Sequence, residues 1–182
     1  MTGNSRSFFF PLNYHNDNIN SMNKLIILSG VPGSGKSYFS AALKKAKKAH
    51  VYIVSSDALR DTIIGNQQDL SQDRLMWKMY YKLAYVYSID PDAIVVLDAT
   101  HSTSFFRIEA TKNLKPMFAE IDLVSFDMPK DVVLYQNIHR DFPIPEDILL
   151  KLIDKFEAPD EKDKEYFNKI FIINSSISIY SR

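Results

Sequence analysis

From Lys24 onward, short apolar runs alternate with longer stretches in which apolar residues recur every three or four positions. The short runs are Lys24–Leu28, Val51–Val54, Ala93–Leu97, Ile121–Phe126 and Lys169–Ile173. Their length and their Val, Ile and Leu content predict strands. The helical period predicts helices over Ser37–Lys48, Ala58–Ile64, Gln72–Ser88, Ser104–Leu114, Lys130–His139 and Glu146–Phe156. Apolar strands separated by helices point to a parallel sheet covered on both faces. The expected fold is therefore α/β, with about five parallel strands. Residues 1–23 show no period and are rich in Asn and Ser, so they are expected to form a flexible extension that Phe8–Phe10 can anchor. Residues 24–182 are expected to be the folded domain.

Composition narrows the chemistry. At 182 residues with 46% hydrophobic content, the chain is long enough for one sizeable core. It has no cysteine, which removes disulfides, thiolate metal sites and cysteine nucleophiles. No apolar run approaches the ~20 residues of a membrane span, so a cytoplasmic protein without a membrane partner is expected. Its 22 basic and 22 acidic residues balance, which argues against a long track along a nucleic-acid backbone but not against a short strand end in a pocket. The Lys-rich stretch Lys44–Lys48 is explained as a solvated helix end that complements the helix dipole. Nothing in the sequence sets the oligomeric state.

The most specific feature is Gly30-Val31-Pro32-Gly33-Ser34-Gly35-Lys36-Ser37, which meets the phosphate-loop pattern G-x-x-x-x-G-K-[ST] at every defined position. It lies between a predicted strand and the helix predicted over Ser37–Lys48, the required context, and Tyr38 is counted with the loop among the nucleotide-binding residues. Gly30, Gly33 and Gly35 let the backbone wrap so that its N–H groups and the helix N-terminus face phosphate oxygens. Lys36 brings a positive charge to the β/γ-phosphates, and Ser37 a hydroxyl for Mg²⁺. A nucleoside triphosphate, ATP, and Mg²⁺ are the cofactors this loop predicts.

Three further constellations follow predicted strands or lie in the last helices. Asp57 and Arg60 come just after the second strand and share a helical face. The carboxylate can accept a proton from an attacking hydroxyl while the arginine holds an anionic group of the acceptor; alternatively Asp57 is a helix cap and Arg60 a surface charge. Asp98 ends the apolar run Ile94–Leu97, where it can support Mg²⁺, cap the next helix or pair with Arg60 or Arg107. Gln136 and Arg140 are four apart, next to the proline-rich Asp141–Pro145, which suggests a small helical lid that carries Arg140 over the triphosphate. His101 reads as a hydrogen-bonding loop residue rather than a base.

Helix Gln72–Ser88 carries two candidate faces. Leu75, Met76, Met79, Leu83 and Val86 are expected to face the core. Trp77, Tyr81 and Tyr85 form a second stripe beside Arg74 and Lys78, suited either to packing or to stacking a base.

Taken together, these motifs resemble the kinase domain of the phage-type polynucleotide 5′-hydroxyl kinases and the wider group of small P-loop kinases that includes the zeta toxins. The resemblance runs from about Lys24 to Ile173. It rests on Gly30–Ser37, Asp57–Arg60, Asp98–Thr100 with Arg107, and Asn137–Arg140 followed by Pro145. It implies a P-loop NTPase-type sheet and transfer of the γ-phosphate of ATP to a hydroxyl-bearing acceptor, a nucleic-acid 5′ end in the first instance. By the same resemblance Asp57 is the general base, Arg60 contacts an acceptor phosphate, Asp98 supports the centre and Arg140 is the lid arginine. One position departs: such kinases tend to carry Arg immediately before the lid Asn, where this chain has Gln136. A sugar, antibiotic or nucleotide-sugar acceptor therefore stays open, as does a non-catalytic nucleotide-binding module.

Overall fold

The computed structural model describes residues 22–46 and 50–174. The rest of the expected extension, with Phe8–Phe10, and Lys47 and Lys48 of the lysine-rich stretch lie outside them. In chain order the elements are β1 (Lys24–Gly30), α1 (Lys36–Ala46), β2 (Val51–Ser55), α2 (Ser56–Ile64), α3 (Asp73–Tyr87), β3 (Ile94–Asp98), α4 (Ser104–Leu114), β4 (Glu120–Phe126), α5 (Lys130–Ile138), α6 (Glu146–Asp154) and β5 (Lys169–Ile173). The five strands form one parallel sheet in the order β2-β3-β1-β4-β5. This is the expected α/β fold.

Alternation along the strands builds the two sides. Leu25 and Ile27 of β1 join Val95 and Leu97 of β3 and Leu123 of β4 beneath α3 and α4. Ile26 and Leu28 join Val96, Val124 and Phe126 beneath Phe39 and Leu43 of α1. The chain thus leaves β1 over one face and β3 over the other, which makes the carboxyl ends of these neighbours the point where connections diverge. In such sheets that divergence opens the ligand crevice. At the opposite end, the buried Asn23 amide donates to the carbonyls of Ser88 and Met117 at 2.9 Å each and accepts from the Ala119 N–H at 3.0 Å.

Two expectations change. Helix α3 is rotated from its predicted orientation: Met76, Tyr80 and Ala84 are fully buried, whereas Leu75 and Val86 are exposed. Trp77 and Tyr81 pack on the edge of the same core, so most of the aromatic stripe is structural. Burying the Tyr80 ring removes more apolar area from water than burying Leu75 or Val86 would, and it leaves the Tyr80 hydroxyl buried with no partner.

Arg107 does not approach Asp98. Its Nε and Nη2 donate to the two carboxylate oxygens of Asp163 at 2.8 Å each, both side chains being 0% exposed, and Nη1 donates to the Glu157 carbonyl at 2.7 Å. This bidentate pair ties α4 to the segment that leads into β5. Arg107→Met leaves the Asp163 carboxylate buried without its cation, and is expected to cost ~3–5 kcal/mol of stability in urea unfolding. A midpoint equal to that of the unsubstituted chain would contradict that role.

Candidate active site

The phosphate loop joins β1 to α1, and its backbone shows why glycines occur where they do. Gly30, Gly33 and Gly35 have φ of 148°, 82° and 99°. At Gly33 a Cβ would also lie 3.0 Å from the Val133 carbonyl, so α5 rests directly on the loop. At Gly35 a Cβ would meet nothing within 4 Å, which leaves open space above the backbone at the helix N-terminus, as a phosphate cradle requires. Lys36 reaches back over the loop, its Nζ donating to the Val31 carbonyl at 2.8 Å and to Ser34 Oγ at 3.4 Å.

Lys36 is 7% exposed. Burial pushes its pKa down to about 8, against the attraction of Asp98 and Asp57. Between about pH 8 and the ordinary lysine value near 10.5, the unfolded chain holds this proton and the free folded protein does not, so this group's contribution favours the fold more as pH rises. Phosphate binding works the other way, because it needs the ammonium. Nucleotide affinity is therefore expected to fall above about pH 8, by up to roughly tenfold per pH unit, with uptake of one proton on binding. Calorimetry in buffers of different ionisation enthalpy checks this; binding without proton uptake at about pH 9 would contradict it.

Asp98, at the end of β3, is buried beside α1. Ser40 Oγ donates to its Oδ2 at 3.3 Å, and the Ser37 hydroxyl also bonds to it. Burial raises the Asp98 pKa, opposed chiefly by Lys36. Neither arginine weighed as its partner pairs with it. A hydroxyl and one carboxylate beside a phosphate loop suit Mg²⁺, which takes its other oxygens from phosphates and water. Among the described residues no group of three or more His, Cys, Asp or Glu offers an all-protein cage.

Asp57 lies in the first turn of α2, whose cap is Ser55: the Ser55 hydroxyl accepts from the Ala58 N–H at 3.3 Å. The cap alternative for Asp57 is thereby removed. Its half-exposed carboxylate is held by two arginines. Arg60 Nη1 donates to Oδ1 at 3.2 Å, and Arg140 Nη2 stands 3.9 Å from Oδ2. Arg60 Nε is anchored on Asp73 at 2.9 Å, a residue that no motif singles out. Ser40 is a second such addition; its spacing from the loop, one helical turn beyond Ser37, is the only signal in the sequence.

Arg140 is placed by the lid. Val133, Leu149 and Val31 are buried together, fastening α5 and α6 onto the loop. The Asn137 side chain staples the turn that follows α5, donating to the Ile144 carbonyl at 2.8 Å and accepting from its N–H at 3.0 Å. Arg140 Nη1 is buried with no partner, while Nη2 faces Asp57. Lys36, Asp57, Asp98 and Arg140 thus surround one crevice at the sheet's carboxyl edge, and Arg60 flanks it. His101 is elsewhere engaged: its Nδ1 donates to the Leu28 carbonyl at 2.7 Å, and burial pushes its pKa down to about 4, so it is neutral.

A family model described as "Chromatin associated protein KTI12" matches residues 23–167. Protein kti12 of Schizosaccharomyces pombe is 26% identical over 148 residues, covering 75% of this chain and 52% of that protein. An L-seryl-tRNA(Sec) kinase of Methanococcus maripaludis is 25% identical over 144 residues, covering 76% of this chain and 54% of that protein. The chain therefore spans about half the length of the curated relatives it matches. Among solved structures, Chaetomium thermophilum Kti12 in complex with ADP-AlF3 superposes with a TM-score of 0.60 at 15% identity, covering 82% of this chain and 88% of that one. A chain of the Pnkp1/Rnl/Hen1 RNA repair complex superposes with a TM-score of 0.61 at 19% identity, over 84% of this chain and 49% of that one. These likenesses agree on the P-loop kinase fold, and the extent of the sequence match decides among its branches: the chain belongs to the KTI12 family.

Proposed function

We propose that this protein binds Mg²⁺–ATP in the Gly30–Ser37 loop and transfers the γ-phosphate to a hydroxyl carried by a nucleic acid, a 5′ end in the first instance. The observation that carries the reading is the Asp57 carboxylate standing at the mouth of the loop between Arg60 and Arg140. There it can accept the proton of an incoming hydroxyl. Lys36 and Arg140 would offset the charge of the transferring phosphoryl group, and Arg60, held by Asp73, would receive an acceptor phosphate. Ser37 and Asp98 would hold Mg²⁺, which neutralises phosphate charge when bound. The relative named L-seryl-tRNA(Sec) kinase supports an acceptor hydroxyl carried on RNA.

A second reading has a specific observation behind it. Asp57 is half exposed, so water can take the acceptor's place and the protein would then be a nucleotide-hydrolysing module. A small-molecule alcohol is the third acceptor class. The test is a panel of 5′-hydroxyl oligonucleotides, seryl-tRNA, sugars and nucleosides under identical Mg²⁺–ATP conditions, with free phosphate measured in parallel. Label in an RNA or DNA hydroxyl is expected. Label in a sugar alone, or in free phosphate alone, overturns the nucleic-acid acceptor.

A further inference from the structure

Helices α3 and α4 both begin at the carboxyl edge of the sheet, since α3 feeds the start of β3 and α4 leaves its end. They pack against each other: the ring centroids of Trp77 on α3 and of His101, just before α4, lie 6.5 Å apart. The first turn of α3 also holds Asp73, the anchor of Arg60, so this edge adjoins Asp57.

Two features of this edge face solvent. Phe105 and Phe106, in the first turn of α4, are 65% and 53% exposed with their rings edge-to-face at 5.5 Å. Exposed large rings in adjacent positions leave apolar area that no other described residue covers. On α3, Arg74, Lys78 and Lys82 recur every four residues on the exposed face. This local cationic row contrasts with the balanced charge of the whole chain.

We infer that Phe105 and Phe106, with Arg74 and Lys78, form a short docking track for a single-stranded nucleic acid that leads into the Asp57 crevice. The inference rests on the proposed nucleic-acid acceptor and extends it to a surface. Rings accept unpaired bases by stacking, and the cationic row of the neighbouring helix α3 offers charges to phosphates. Neither feature alone selects this ligand; a strand with free bases and a charged backbone matches both. The row is short, so it engages few phosphates, which is consistent with the neutral chain.

The test is fluorescence anisotropy of the full chain with a short 3′-labelled, 5′-hydroxyl single-stranded RNA, and with the duplex of the same sequence. The wild type is expected to prefer the single strand. Phe105→Ala and Phe106→Ala are each expected to weaken it by about 5- to 100-fold with the salt slope unchanged. Arg74→Gln and Lys78→Gln are each expected to lower the slope of log K against log salt by about 0.7. All four positions are exposed, and nucleotide affinity serves as the control for folding. Wild-type RNA affinity in both Phe variants, or equal binding of duplex, overturns the track. Full RNA phosphorylation by the double Phe variant also overturns it but leaves the kinase reading standing. RNA binding lost in the variants, with no acceptor phosphorylated by wild type, sinks the kinase reading and keeps the track.

Discussion

Asp57→Asn is expected to lower phosphoryl transfer by ~10²–10⁴-fold while Mg²⁺–ATP affinity stays within about twofold of wild type. The amide preserves the shape of the side chain but cannot take a proton from the acceptor hydroxyl. The position tolerates the change because the side chain is half exposed and Arg60 keeps its second anchor on Asp73. Single-turnover transfer and equilibrium nucleotide binding, measured on the same preparation, separate the two quantities. If rate and affinity fall together, Asp57 serves the metal or the fold instead of the proton. An unchanged rate removes the carboxylate from the reaction altogether.

Lys36→Met is expected to abolish transfer and the stabilisation by nucleotide together. Wild-type protein at a hundredfold excess of ligand over Kd should gain ~2.7 kcal/mol, and the variant almost nothing. The ligand-free variant should be no less stable than wild type. Burial disfavours the Lys36 charge enough to pull its pKa down to about 8, and methionine fills similar space without that charge. Thermal unfolding with and without Mg²⁺–ATP reads all of this. A variant that still gains stability from nucleotide would show that Lys36 does not meet the phosphates.

The parts of this molecule that were legible in the sequence are those with a strict local signature. The strands, the phosphate loop and its glycines follow from runs, fixed spacing and backbone demands that only neighbouring residues set. Helix α2 was legible only in part, because it begins at Ser56 with Ser55 as its cap, two residues before the predicted start, which places Asp57 in the first turn. The rotation of α3 was not legible, since Leu75 and Tyr80 are both apolar and only the sheet beneath decides which is buried. Partner choice is still less local. Arg107 and Asp163 are 56 residues apart, and nothing in either neighbourhood indicates that they meet. Arg140 was placed by its proximity to Pro143 and Pro145, yet its approach to Asp57 depends on α5 lying against Gly33.

The same distinction separates the donor side from the acceptor side. Donor residues are consecutive or follow a strand end, so motif and topology converge on one crevice. The residues proposed for the acceptor come from α2, α3, α4 and the lid, where exposure matters more than residue type. Phe105 and Phe106 would pass for core residues in any periodicity argument, and only the fold shows them facing water.

The fate of the γ-phosphate in a single turnover tests the proposed transfer most directly, with protein in excess over γ-labelled Mg²⁺–ATP and a 5′-hydroxyl RNA present. Label is expected on the RNA terminus, at a rate that collapses in Asp57→Asn. Label that remains on the nucleotide, or that leaves only as free phosphate with the RNA untouched, would contradict it.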